Sequence, residues 1–157
     1  MPDGGPLIRI TIRGGALAVV DGLAYAAILP PPHPATWIAS SAADGTIRFT
    51  EQSGGRVLGV PDTAPGTQAR ALDPAAVGGG AAGWRVSRCS DAGGRAPVAV
   101  KHPSELTSGY YTIEEPATGA LLYRNRDEEP GLGPKPVALQ PAGVDQGPLI
   151  LQRVDED

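Results

Sequence analysis

The chain has one cysteine, two histidines, few aromatic residues (4%) and no long apolar run, and each scarcity closes off a class of function. Cys89 alone cannot form an internal disulfide and reads as a small core or strand-end residue. The two histidines lack cysteine or carboxylate neighbours at ligand spacing, so no metal site is expected, and no other cofactor. With a net charge of −4 and no two adjacent Lys or Arg residues, the chain has no electrostatic grip for nucleic acid. No segment approaches the roughly 20 apolar residues that a membrane span needs. Arg9 and Arg13 lie inside an alternating pattern near the start, so no signal peptide is legible. A cytoplasmic, monomeric protein is expected, with non-classical release as the alternative. Helical periodicity with caps is also missing, apart from one turn expected near Asp73-Pro74-Ala75-Ala76.

Present in abundance are short apolar clusters separated by glycine (22) and proline (17), the pattern of strands and turns. A length of 157 residues fits one domain spanning 1–157. The segment Leu7-Ile8-Arg9-Ile10-Thr11-Ile12 alternates, putting three isoleucines on one face. After it come Leu17 and Val19, the turn Asp21-Gly22, a strand over 23–29, a proline-rich turn and Trp37-Ile38-Ala39. A second unit opens at Thr46-Ile47-Arg48-Phe49, continues through Arg56–Val60 and Gln68–Leu72, and closes at Trp84-Arg85-Val86. A third opens at Gly109-Tyr110-Tyr111-Thr112-Ile113, continues through Ala120–Tyr123 and Val137–Leu139, and closes at Leu149-Ile150-Leu151.

The repeats therefore cover about 7–44, 45–89 and 109–154, with Trp37, Trp84 and Leu149 in equivalent closing positions and Ile10, Ile47 and Ile113 as one inward-facing position. Three units of four strands give about twelve strands. The all-β architecture suited to that count is the β-trefoil with pseudo-threefold repeats, a closed barrel with no open sheet edge. Residues 90–108 form a connecting segment in which Pro97-Val98-Ala99-Val100 suits an extra edge strand and the ends read as a flexible connection.

In the third unit, Ser108-Gly109-Tyr110-Tyr111-Thr112-Ile113, Arg124-Asn125, Glu128, Leu132 and Pro134-Lys135-Pro136-Val137 follow one another. This succession resembles the opening repeat of the cospin and cnispin type of fungal β-trefoil serine protease inhibitors and their bacterial relatives. Asp21-Gly22-Leu23-Ala24-Tyr25-Ala26, Thr36-Trp37-Ile38 and Pro65-Gly66-Thr67-Gln68 resemble that family's later repeats. What resembles the first repeat stands last, so the chain reads as a circular permutation joined through 90–108. Such a change preserves every strand pairing in a threefold fold.

The resemblance implies a protease inhibitor that blocks a serine protease with a substrate-like surface loop, and a protease as partner. The candidate loop comprises Arg124, Asn125, Arg126, Asp127, Glu128, Glu129 and Pro130, within a Gly/Pro-rich stretch that runs on to Lys135. Arg126, and after it Arg124, is the residue expected to enter an acidic specificity pocket. The acidic run after Arg126, and Pro130-Gly131, depart from the family's pattern, which leaves the target protease open. The same charges also suit an ordinary solvated loop. Two alternatives stand beside the inhibitor: a carbohydrate-binding, lectin-like trefoil, and a scaffold that binds another protein without inhibiting it. The Gln-x-Trp of ricin-type trefoils is absent, since Ala35 and Ala82 precede the tryptophans by two.

Catalysis finds no support. Ser40, His33 and Asp44 have no strand-turn-helix elbow around the serine, so no enzyme is expected. Gly78-Gly79-Gly80 lacks the Lys-Ser/Thr and following helix of a phosphate loop. Pro30-Pro31-Pro32-His33-Pro34 suits a stiff turn as well as a recognition surface.

Overall fold

The computed structural model describes residues 5–12, 15–27, 36–42, 45–52, 54–64, 66–73, 82–91, 97–124, 135–140 and 148–154. They form an all-β fold whose one helical element among the described residues is a 3-10 turn, Pro103–Glu105. Thirteen strands are present among the described residues: β1 (Leu7–Ile12), β2 (Gly15–Val20), β3 (Leu23–Ala27), β4 (Trp37–Ser41), β5 (Ile47–Glu51), β6 (Val57–Gly59), β7 (Arg70–Leu72), β8 (Arg85–Arg88), β9 (Val98–Val100), β10 (Gly109–Glu114), β11 (Leu121–Arg124), β12 (Lys135–Gln140) and β13 (Leu149–Arg153). The one beyond the expected twelve is β9, an edge strand that pairs with β8 inside the connecting segment.

Alternation dictates which faces are buried. In β1, Ile8, Ile10 and Ile12 are buried while Arg9 points out; in β5, Ile47 and Phe49 are buried around Arg48. Six strands close into a ring, β1–β4–β5–β8–β10–β13 and back to β1, every neighbour antiparallel, with the β5–β8 link made at Ile47 and Trp84. Closure leaves none of these six with an open edge. The remaining hairpins, β2–β3, β6–β7 and β11–β12, rise from β1, β5 and β10 and meet one another through β3–β7, β3–β12 and the Gln68–Ala138 bridge.

The register relates the three units. Ile8 faces Trp37, Ile47 faces Trp84 and Tyr111 faces Leu149, so Trp37, Trp84 and Leu149 do share one position. The same pairing corrects the isoleucine assignment. Ile10 is equivalent to Phe49 and Ile113, which oppose Leu151, Ala39 and Val86; Ile47 belongs one row away with Ile8 and Tyr111. Leu17, Leu58 and Leu122 are a further matched set, each about fully buried opposite Ala26, Ala71 and Leu139. Burying a leucine this completely contributes about 2–3 kcal/mol.

The turns after β5 and β10 also correspond. Gly55 and Gly119, with φ of 72 and 77, donate their N–H groups to the carbonyls of Glu51 and Glu115, a conformation that glycine adopts without a Cβ clash. Of the connecting segment, Val98–Val100 forms the extra edge strand expected, while 101–108, expected as a flexible end, packs onto the barrel. After β9, Glu105 caps the 3-10 turn, and Leu106 is wholly buried in the common core. The helical turn expected near Asp73–Ala76 falls on residues of which only Asp73 is described.

Candidate functional site

The expected inhibitory loop departs from the end of the β11–β12 ladder. Arg124, the last residue of β11, pairs through its backbone with Val137. Asn125, Arg126, Asp127, Glu128, Glu129 and Pro130 lie outside the described residues, as do His33, Asp44 and the glycine triplet. Ser40 sits on β4 opposite Arg48.

The three hairpins are locked together near their turn ends. Ala24 N–H donates to the carbonyl of Ala69 at 2.9 Å, Ala69 N–H donates to that of Val137 at 2.8 Å, and the Gln68 amide reaches the carbonyl of Ala24 at 3.0 Å. The buried alanines let the strands approach closely, so each hairpin end is fixed relative to the other two.

At the tip of the first hairpin Val20 pairs with Leu23 across the two-residue turn Asp21-Gly22. Both turn residues have positive φ, 53 and 81, the geometry that matches a hairpin's twist and that Asp-Gly adopts most readily. An open cleft of about 310 Å³ lies against this hairpin, lined by Val20, Asp21, Leu23 and Tyr25. Val20 is 48% exposed there, a large apolar side chain left in water.

Two guanidinium groups stand beside this hairpin. Arg70 is directly opposite Leu23 on β7, and its Nε is buried without a hydrogen-bond partner among the described residues. Arg56 Nε donates to Glu51 Oε1 at 3.0 Å, and its Nη1 lies 3.8 Å from where a Cβ on Gly22 would be. The sequence signalled the Asp21-Gly22 turn but not the cleft, because alternation says which residues point outward and not whether anything covers them.

Elsewhere the polar groups serve structure. Glu115, 1% exposed, accepts from the N–H groups of Ala117 and Thr118 and from the Thr118 hydroxyl at 2.8–2.9 Å, closing the turn after β10. Cys89 is buried after β8, and burial, with Asp91 adding to it, pushes its thiol pKa up, so it is a poor nucleophile. Among the described residues no three His, Cys, Asp or Glu side chains gather as metal ligands would, and no helix is long and apolar enough to cross a membrane.

No protein-family model matches the chain, and no curated protein matches it in sequence. Solved structures do resemble it. Among them is the cytolethal distending toxin of Actinobacillus actinomycetemcomitans, with a TM-score of 0.57 at 14% identity over 96% of this chain and 94% of that one. Another is the Haemophilus ducreyi cytolethal distending toxin, with a TM-score of 0.57 at 13% identity over 96% of this chain and 85% of the other. At such identities the likeness is one of fold, and it agrees with the all-β architecture.

Proposed function

We propose that the chain is a β-trefoil protease inhibitor of the cospin and cnispin kind, which blocks a serine protease with the substrate-like loop between β11 and β12. The trefoil reading is supported by the six-strand ring, the three hairpins joined at its end and the matched rows of the three units. The function draws its support from a difference among those hairpins. The first turns over Asp21-Gly22 alone, while the second leaves its ladder at Gly59 and resumes at Arg70 and the third leaves its ladder at Arg124 and resumes at Val137; of the two long connections only the third carries Lys or Arg.

A loop whose two ends are held in an antiparallel ladder loses little further freedom on binding, and this preorganisation favours affinity and slows release. Arg126 is the residue proposed to enter an acidic specificity pocket, with Arg124 the alternative. Inhibition of this kind needs occupancy and no catalysis, so neither a cofactor nor an enzymatic group is required.

The test is residual activity of trypsin, chymotrypsin, subtilisin and papain at increasing inhibitor. At least one should be inhibited with a Kd of about 1 μM or tighter. Arg126→Ala should weaken that inhibition by about 30-fold or more, the effect of removing a central anchor. Replacing 125–134 with Asn-Gly, which leaves a four-residue connection between the paired Arg124 and Val137, should keep the fold and abolish inhibition. Full activity of all four proteases would refute the proposal; unchanged inhibition by Arg126→Ala and Arg124→Ala would refute the loop assignment.

A further inference from the structure

We infer that two copies of the chain pair through β9, edge to edge and antiparallel about a two-fold axis at Ala99, to give a weak dimer in place of the monomer expected from the sequence. This interface is independent of the β11–β12 loop. Three observations carry it.

The first is topology. Among the described residues every other strand pairs with at least two strands, whereas β9 pairs with β8 alone and ends the sheet. No backbone hydrogen bond from a described residue reaches Val98, Ala99 or Val100 on the side away from β8. A free edge of this kind offers a row of N–H and C=O groups to any strand that can align with it.

The second is what stands on that edge. Val98 is 67% exposed, more than any other large apolar side chain among the described residues, and Pro97 and Ala99 are exposed beside it. Val98 and Val100 share one face, opposite Arg88 and Val86 of β8, and Val100 is already buried there.

The third is self-complementarity. Val98-Ala99-Val100 reads the same in both directions, so antiparallel pairing centred on Ala99 sets each Val98 against Val100 of the second copy, and Ala99 against its own equivalent. Lys101, the charge that follows the strand, then faces Pro97, so no like charges meet. The free stretch is also bounded. Pro97 has no N–H to offer, and the Lys101 N–H already donates to Glu105 Oε1 at 3.0 Å. Each copy brings one open edge and the pairing consumes it, so assembly stops at two, as an isologous interface requires.

Sedimentation equilibrium of the full chain tests this. It should show a monomer–dimer equilibrium with a Kd on the order of 0.1 mM, since so short a pairing buries less than a standard interface. Val98→Asp sets a carboxylate against a valine and should weaken dimerisation by about tenfold or more. Its Tm should stay that of wild type, because the side chain is exposed in the single chain. Ala99→Cys, made together with Cys89→Ala, should oxidise to a disulfide-linked dimer. Directly opposed residues of an antiparallel pair stand about 4.5–5.5 Å apart at Cα, within disulfide reach. Should Val98→Asp not fold, this cross-link decides the matter. The inference is overturned by a monomeric mass at about 1 mM chain, ten times the expected Kd. It is equally overturned by a dimer that Val98→Asp leaves as tight as wild type, or by a dimer in which Ala99→Cys does not cross-link. A monomer whose 98–100 amides exchange slowly with solvent would assign the edge to a segment of the same chain instead.

Discussion

Trp84 and Trp37 occupy the same place in successive units, yet their indole N–H groups fare differently. Trp84 Nε1 donates to the carbonyl of Leu58 at 2.9 Å, while Trp37 Nε1, equally buried, has no partner among the described residues. In the third unit Leu149 fills the position and carries no donor at all. Repetition thus preserves backbone register and apolar bulk more strictly than polar pairing. A ladder slips only at the cost of a whole face, whereas one unpaired donor costs about 1–3 kcal/mol and can be tolerated.

The largest effect is expected where this comparison is attacked directly. Trp84→Ala should destabilise by about 3–5 kcal/mol, from the lost contacts and the cavity left behind. The phenylalanine variants then isolate the indole N–H. Trp84→Phe should cost about 1–2 kcal/mol more than Trp37→Phe, since only the former loses a hydrogen bond. Urea unfolding of both variants measures the difference, and equal costs would mean that the two indoles are equally satisfied in solution.

A second pair of equivalent residues sharpens the same lesson at smaller scale. Glu51 and Glu115 both precede a turn glycine and are both buried, but Glu115 satisfies three local donors, whereas Glu51 pairs with Arg56, whose side chain is 45% exposed. Glu115→Ala removes the acceptor of three turn donors on the exposed residues Ala117 and Thr118 and should cost about 1–2 kcal/mol. Glu51→Ala releases an arginine to water and should cost about 1 kcal/mol or less. If the two substitutions cost the same under chemical denaturation, the local network around Glu115 has no special weight.

Much of this fold is legible in the residues themselves, and the parts that are not have identifiable reasons. Alternation in Leu7–Ile12 fixes both the strand and its buried face, and the large residues at 37, 84 and 149 mark the closing strands. The slip at Ile47 arises because Ile47-Arg48-Phe49 is apolar at both i and i+2, so moving the register by two leaves the same face buried. Only the pairing of Ile47 with Trp84 decides it. Leu106 stands alone among polar residues, and nothing local says that it plugs the core. The cleft was hidden for another reason: alternation marks Val20 and Tyr25 as outward strand residues and does not say that Val20 stays 48% exposed. For the β11–β12 loop the sequence supplies the residues and the fold supplies the paired base at Arg124, so the inhibitory assignment turns on the assay proposed above.

The smallest effect concerns the segment that carries Leu106. Glu105 Oε1 accepts from the N–H groups of His102 at 3.1 Å and Lys101 at 3.0 Å. These bonds, His102 first, hold its carboxyl below the usual carboxylate range. The folded chain therefore binds this proton more weakly than the unfolded chain does. The stability contributed is present at neutral pH and is lost as pH falls through the lowered folded-state value. Glu105→Gln keeps an oxygen acceptor but cannot titrate, so its Tm should decline less than that of wild type between neutral and acidic buffer. The side chain is exposed and the difference should be small, more visible at low salt. Identical declines would mean that the turn before Leu106 forms no more firmly with a carboxylate than with an amide, leaving burial of the leucine itself to hold the segment against the barrel.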